Sequence, residues 1–333
     1  MNAVSEIADR NTAILAEIDV MRDRYLATPL ASIDKDALAK WRPKATLWQR
    51  LQPLMGMQAG LKRRVAQVGD HDICYWAGGN SAGPVVVLLH GFGSSKENWS
   101  YLAAKLRRDY YLLVPDLAGF GDSSFHADSD YRMAEQADRI AAWLQILRVD
   151  KAHVSGSSMG GAIAAQLASR HPQLVDTLCL MNSAGVPGRH LSQLESGLAA
   201  GVNYLSPAQP HDTLLVFAIA LHRRHRFFGM VLSFFMAGAM SHRKQVNDYI
   251  FSHLVDSLKH TYLCLNKIKA PTLVLWGDSD QVLDVTCADQ FCEQIVGAKA
   301  MILPSVGHLP MLEEPGLTAR VLSDFWRAGT RVI

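Results

Sequence analysis

The pentapeptide Gly156-Ser157-Ser158-Met159-Gly160 constrains this chain more than any other stretch of its 333 residues. An apolar strand candidate, Ala152 to Ser155, runs into it, and a helical pattern carried by Ile163, Ala164 and Leu167 runs out of it. So tight a turn from strand to helix forces its middle residue into a strained conformation. Small residues on either side let neighbouring backbones approach. The hydroxyl of Ser158 is then lifted above a sheet, at the amino end of a helix, where free N–H groups favour negative charge. An ordinary glycine-rich loop is the competing reading, and the flanking strand and helix argue against it.

Strands and helices alternate along most of the remaining chain. Ile73 to Ala77, Val85 to Leu89, Tyr110 to Val114, Thr177 to Met181, Thr272 to Trp276 and Ala300 to Leu303 read as further strands. Val85 to Leu89 is apolar throughout, as expected for a strand buried on both faces. Between the strands lie helical patterns, the clearest being Ala134, Ala137, Ile140, Ala141, Leu144 and Leu147. The pattern predicts an α/β fold with a mostly parallel central sheet and helices on both faces.

Two segments stand outside this alternation. Residues 1–65 read as a helical N-terminal extension, with Ile14, Ile18, Met21 and Tyr25 at helical spacing and a second apolar stretch over Leu47, Trp48, Leu51, Leu54 and Met55. Pro29 and Pro43 punctuate it. Such an extension is either a helix docked on the main domain or an arm for an interface. Residues 186–265 interrupt the core, which occupies 66–185 and 266–333, with apolar helical runs over Leu214 to Leu221 and Phe227 to Met240. The second run, 14 residues, is too short to cross a bilayer. An insertion of this length is expected to form a cap, or lid, over the carboxyl edge of the sheet, where α/β proteins bind ligands.

A serine hydroxyl is a poor nucleophile and needs a base. His308, in Gly307-His308-Leu309-Pro310, follows the last strand and is placed to reach back over the sheet, although a surface histidine in a turn is the alternative. A third group should orient the imidazole. Trp276-Gly277-Asp278-Ser279-Asp280 follows the preceding strand, and Asp280 is favoured for that role over Asp278 and Asp284. Asp278 suits a turn residue bonding its own backbone. Acyl transfer also needs donors for a developing oxyanion. Met159 N–H, directly after the serine, is one, and Phe92 N–H, in the loop His90-Gly91-Phe92-Gly93, is the second. His90 reads as a brace for that loop.

The chain order Ser158, Asp280, His308 and the motifs H-G-F-G, D-L-A-G-F-G-D-S (Asp116 to Ser123), G-S-S-M-G-G, W-G-x-x-D and G-H-x-P-x-x-E-x-P (Gly307 to Pro315) resemble the α/β-hydrolase superfamily over about residues 65–330. Within it the chain is most similar to bacterial lipases and esterases of the monoacylglycerol-lipase type. The resemblance implies a serine hydrolase that cleaves carboxylic esters, fatty-acyl esters above all, through an acyl-enzyme on Ser158. Dehalogenases and epoxide hydrolases carry aspartate where Ser158 stands. Carbon–carbon hydrolases of aromatic ring-cleavage products typically have Asn and Trp where this chain has Ser157 and Leu309, so that activity is the alternative; a non-catalytic lipid or small-ligand binding protein on the same fold is a second.

Composition closes off other classes. Lys plus Arg number 33 against 31 acids, which gives no bulk charge for binding nucleic acid. The five cysteines are scattered, with no spacing for zinc or a disulfide framework. Neither a phosphate-cradling loop nor a metal motif is present, so no cofactor and no metal are expected. His222-Arg223-Arg224-His225-Arg226 ahead of Phe227-Phe228 reads as a solvated basic turn or as an edge that settles on anionic lipid headgroups. Met230, Phe234, Phe235, Met236 and Met240 read either as packing within the cap or as lining for an acyl pocket. The N-terminus shows no basic region followed by an apolar stretch. The expected location is cytoplasmic, with peripheral contact to a lipid surface through the cap.

Overall fold

A computed structural model describes residues 3–27, 33–44 and 46–329, and the side chains of these residues from position 11 onward except at 27 and 47. Met1, Pro29 and the side chain of Leu47 therefore lie outside the described residues. Among the described residues, eight strands form one sheet: β1 (Leu61–Val68), β2 (His71–Gly79), β3 (Val85–Leu89), β4 (Tyr111–Pro115), β5 (Ala152–Ser157), β6 (Val175–Met181), β7 (Thr272–Gly277) and β8 (Lys299–Leu303). Their spatial order is β1-β2-β4-β3-β5-β6-β7-β8. From β4 to β8 every neighbouring pair is parallel, and β2 and β1 close one edge antiparallel. The sheet is mostly parallel, as expected.

The inner strands are apolar because both faces are covered. Val87, Leu89, Leu113, Leu178, Leu180, Val274 and Trp276 belong to one buried cluster. Val86, Leu88, Leu112, Val114, Cys179, Met181, Leu273 and Leu275 belong to the other. This is the period of two that sends alternate side chains through opposite faces of a strand. The helix Met133–Ile146 buries the Ala137, Ile140, Ala141 and Leu144 face against the first cluster.

One strand carries no sequence signal. β1 begins inside the stretch read as helical extension, 1–65, and runs past its end, and its interior is Lys62, Arg63, Arg64, Val65, Ala66 and Gln67, of which none is buried. Only Leu61 and Val68 at its ends are. It pairs with β2 from Leu61↔Gly78 to Val68↔His71 through backbone alone, and charged side chains are what an edge strand uses to repel further pairing.

The chain order builds a site before any side chain is considered. β3 leads outward to β4 on one side, and the chain then returns to place β5 on the other side of β3, with Leu89↔Gly156 in register. The loops that leave the carboxyl ends of β3 and β5 therefore diverge, and a crevice opens between them. Between β6 and β7 the chain makes the helices Gln193–Ala199, Thr213–Ala220, Arg226–His242, Lys244–Asp256 and Leu258–Cys264.

The N-terminal helices pack against this body. The helix Ala3–Ala27 buries Ile14, Ile18 and Tyr25 and lies on the helices Lys244–Asp256 and Leu258–Cys264. Lys259 Nζ reaches Asp19 Oδ2 at 2.6 Å, and Tyr262 Oη donates to Asn11 Oδ1 at 2.8 Å. The helix Leu47–Ala59 starts at a reciprocal cap between Thr46 and Gln49 and ends at Gly60, whose φ of 69° is left-handed. Among the described residues, no helix is long and apolar enough to cross a membrane.

Candidate active site

Ser158 links β5 to the helix Met159–Arg170 with φ 55° and ψ −120°, a conformation that costs a non-glycine residue roughly 1–3 kcal/mol. Its neighbours hold it there. Ser158 N donates to Met181 O at 3.0 Å, and Ser158 O accepts from Gly161 N, Ala162 N and Ala184 N at 2.9, 3.2 and 3.0 Å. A Cβ on Gly156 would lie 2.1 Å from Gly160 O, and one on Gly160 would lie 2.3 Å from Leu89 O. The glycines of the pentapeptide are thus required by backbone contacts on both sides of the serine.

His308 and Asp280 meet across the ends of β7 and β8. His308 Nδ1 lies 2.8 Å from Asp280 Oδ2, and the carboxylate is fully buried. Its other oxygen accepts from Val282 N at 2.8 Å and Leu283 N at 3.1 Å. With Nδ1–H donated to the carboxylate, the neutral ring presents Nε2 as an acceptor. The alternatives to Asp280 are occupied elsewhere. Asp278 Oδ1 accepts from Ser305 N at 2.8 Å and Ser279 Oγ at 2.7 Å, bracing its own turn, while Asp284 Oδ1 accepts from the backbone and hydroxyl of Thr286.

Two supporting residues were not singled out from the sequence. Asn182, just past β6, donates Nδ2 to Asp280 Oδ2 at 2.7 Å. Nothing in its sequence context marks it. Glu313, buried, accepts from Gly307 N at 3.0 Å and Leu309 N at 3.3 Å with Oε1, and from His222 N at 2.8 Å with Oε2. It ties both flanks of His308 to the inserted helices, and its signal was the glutamate of the Gly307 to Pro315 motif. His308 N itself donates to Ala220 O at 2.8 Å.

The loop after β3 folds over the serine. A Cβ on Gly91 would lie 3.1 Å from Ser158 Cβ and 3.7 Å from Ser158 Oγ. His90 is buried, with Nδ1 donating to Gly91 O at 2.8 Å and Nε2 accepting from Leu117 N at 3.0 Å. Both ring nitrogens are used, and burial pushes its pKa down, so it braces the loop as a neutral ring. Phe92 follows it at the site. Met159 is the first residue of its helix, where an N–H has no intrahelical acceptor.

Ser158, His308 and Phe92 line one cavity of about 390 Å³. Its walls are apolar. Phe217, Phe228, Leu232, Phe235 and Met236 come from the inserted helices, and Trp48, Leu51 and Met55 from the helix Leu47–Ala59. Of the methionines and phenylalanines left open between packing and lining, Phe235, Met236 and Met240 face the cavity, whereas Phe234 is 75% exposed. The contribution of the N-terminal helix was not readable, because an apolar stripe shows that a face is covered without showing by what.

A second cluster of ionisable groups lies below the loop after β3. Cys74, Asp116 and Asp122 bring three metal-ligating atoms within 4.8 Å of one another. The ammonium of Lys96 sits among them, 2.8 Å from Asp116 Oδ2, 3.1 Å from Asp122 Oδ2 and 2.9 Å from Glu97 Oε1. Burial pushes the Cys74 thiol up to about 12, which keeps it protonated. Burial and then the nearby Asp116 push Glu97 up to about 7.

Residues 84–315 match the model of a family described as the alpha/beta hydrolase fold. Lipase 1 of Psychrobacter immobilis is 32% identical over 247 residues, covering 74% of this chain and 77% of that protein. Monoacylglycerol lipase ABHD6 of Homo sapiens is 26% identical over 277 residues, covering 80% of this chain and 82% of that protein. Among solved structures, a membrane phospholipase A described as a bacterial virulence factor matches with a TM-score of 0.76 at 33% identity, covering 86% of this chain and 92% of that one.

Proposed function

Because the chain belongs to the α/β-hydrolase family, we propose that it hydrolyses carboxylic esters of lipids, with Ser158 as nucleophile. The observation that carries this reading is that Ser158, on its strained corner, and His308, paired with Asp280, border the same apolar cavity. Similarity to lipases and to a phospholipase supports the lipid class of the ester.

The chemistry follows from the groups present. His308 Nε2 takes the proton of Ser158 as its Oγ attacks the ester carbonyl, and Asp280 stabilises the imidazolium that forms. The tetrahedral oxyanion accepts hydrogen bonds from Phe92 N–H, in the loop after β3, and from Met159 N–H, at the amino end of a helix. Collapse expels the alcohol, which takes its proton from His308. Water then attacks the acyl-enzyme with His308 as base, and the carboxylic acid leaves.

Residues 186–265 act as the cap in this reading. The cap helix Arg226–His242 exposes Phe227 and Phe234 beside Arg223, Arg224 and Arg226, and the helix Leu47–Ala59 exposes Leu54 and Met57. Apolar side chains with cations beside them suit peripheral contact with an anionic lipid surface, through which substrate reaches the cavity.

The test is labelling and turnover. Purified protein should react with a fluorophosphonate probe at Ser158 and cleave p-nitrophenyl esters, and Ser158→Ala should abolish labelling and lower kcat by roughly a thousandfold or more. A Ser158→Ala variant as active as the parent overturns the reading.

A further inference from the structure

Phe92 N–H sits in a loop with little stiffness of its own. Glycines flank the residue on both sides, Gly93 at φ 67°, and Ser94 N donates to Gly91 O across the loop at 3.3 Å. The direction of that N–H is therefore left to whatever holds the ends of the loop. Both ends are held by the turn that follows the neighbouring strand, β4. At the near end, His90 Nε2 accepts from Leu117 N at 3.0 Å. At the far end, Asp116 Oδ1 accepts from Lys96 N at 2.7 Å. Between them the ring of Phe120, from the same turn, meets the rings of His90 and Phe92 edge-on at 5.6 and 5.7 Å.

Asp116 is the member of this turn that has no near substitute. It is fully buried. Its Oδ2 accepts from Lys96 Nζ at 2.8 Å and from Asp122 N at 2.9 Å. Its own N donates to Cys74 O at 2.8 Å, which fixes its backbone to β2. A Cβ on Gly121 would lie 2.2 Å from Asp116 Cγ, so the carboxylate rests in a cradle that only glycine leaves open. Three donors thus converge on two acceptor oxygens. An amide offers one oxygen and would set its own N–H groups against one of the donors.

We infer that Asp116 is a positioning residue for ester hydrolysis: through Lys96 N it fixes the loop that aims Phe92 N–H at the oxyanion, and the turn after β4 is the mount for that donor. The inference rests on the ester-hydrolase reading above and adds to it a residue outside the wall of the cavity. A buried carboxylate with these partners also holds the fold together, so the experiment has to read the oxyanion itself.

Two substrates do this, p-nitrophenyl butyrate and its thiono analogue, in which C=S replaces C=O. They share acyl chain and leaving group and differ in the atom that takes the negative charge. Sulfur is a weak hydrogen-bond acceptor, so a misplaced donor matters less to the thiono ester. Release of p-nitrophenolate is followed in a single turnover, which measures the slower substrate as well. Asp116→Asn should slow the oxygen ester by about ten- to a hundredfold with KM near the parental value, and the thiono ester by several-fold less. Equal losses on the two esters would place the effect in the fold or the triad and overturn the inference, as would no loss at all. If Asp116→Asn does not fold, Phe120→Leu carries the same test, since it keeps both ties and removes the ring beneath Phe92. It should again slow the oxygen ester more than the thiono ester, and equal losses or none would overturn the mount. Failure of the esterase reading looks different: the parent cleaves neither ester and no fluorophosphonate labels Ser158.

Discussion

Asn182 and Asp280 come from the ends of different parallel strands, and the amide of one donates to the carboxylate of the other at 2.7 Å. The same oxygen, Oδ2, faces His308 Nδ1 at 2.8 Å. Asn182 holds φ 44°, a left-handed conformation that asparagine tolerates better than most residues. Asp280 thus takes four hydrogen bonds in a fully buried position, two from backbone N–H groups on Oδ1 and two from side chains on Oδ2. Removing the Asn182 amide leaves the carboxylate freer to turn from the imidazole. Asn182→Ala is expected to lower kcat about tenfold with little change in KM, consistent with one hydrogen bond to a charged group at about 1.5–3 kcal/mol. Steady-state kinetics on p-nitrophenyl butyrate, beside a melting curve that shows the variant folded, checks it.

The glycines of the chain separate into those that backbone contacts require and those they do not. A Cβ on Gly160 would meet Leu89 O at 2.3 Å, whereas one on Gly238, in the exposed middle of the helix Arg226–His242, meets nothing within 4 Å. Gly160→Ala should destabilise by about 3 kcal/mol or more, since neither backbone can move without the other. Gly238→Ala should stabilise by about 0.5–1 kcal/mol through helix propensity alone. Thermal denaturation of the two variants should therefore bracket the parent, and a Gly160→Ala protein with parental Tm would contradict the packing at the serine.

What could be read in advance follows from how each element is buried. β3, β5, β6 and β7 are covered on both faces, so their apolar runs stand out of the sequence, and the residues at their ends follow from them. Asp280 was legible because it stands just past such a strand, and His308 because it follows β8, whose short apolar run shows in the sequence although four of its five residues are exposed. β1 was not, because an edge strand can be held by backbone pairing with charged side chains outward. Asn182 was not, because its role depends on a partner 98 residues away in sequence. The helical spacing of Ile14, Ile18, Met21 and Tyr25 was legible, but the helices it packs on, Lys244–Asp256 and Leu258–Cys264, come from chain distant from it.

Glu97 makes stability depend on pH in a direction opposite to that of a carboxylate whose pKa is lowered on folding. Its folded-state pKa, raised to about 7 by burial and then by Asp116, exceeds the ordinary value of 4.5. Between those values the folded chain binds more protons than the unfolded one, so stability falls as pH rises through this window. Glu97→Gln mimics the protonated form at every pH and leaves Lys96 paired with Asp116 and Asp122. At pH 8 it should melt several degrees above the parent, and at pH 5 the difference should shrink toward zero. Melting temperatures across this range decide the matter; a constant difference would mean that Glu97 does not titrate there.

The wall supplied by the helix Leu47–Ala59 has a consequence for chain length. Met55 lines the large cavity opposite side chains of the inserted helices, and Met55→Trp adds bulk where a hydrocarbon chain would lie. Acetyl and butyryl esters, which need little of that space, should be cleaved within about twofold of the parental rate. Dodecanoyl and palmitoyl esters should lose tenfold or more, since each methylene kept out of an apolar site forfeits about 0.8 kcal/mol. A series of p-nitrophenyl esters of increasing length measures this, and uniform loss across the series would remove the N-terminal helix from the acyl side.

Phe227 and Phe234 lie on one helix, both 75% exposed, with Arg223, Arg224 and Arg226 at its start. Exposed aromatic residues beside cations favour an anionic bilayer by two additive routes, burial of the rings and attraction to headgroups. Burial of one phenylalanine is worth about 1.5–3 kcal/mol, so Phe234→Asp should weaken association with vesicles at least tenfold. Arg224 is shared with Glu314 at 2.6 Å, which leaves Arg223 and Arg226 as the cations whose replacement should act chiefly through charge. Sedimentation with phosphatidylcholine vesicles, with and without phosphatidylglycerol, separates the routes. The aspartate substitution should reduce binding to both, whereas Arg223→Gln and Arg226→Gln should reduce only the increment that phosphatidylglycerol adds, and added salt should erase that increment. Parental binding by Phe234→Asp would show that this helix face does not meet the lipid.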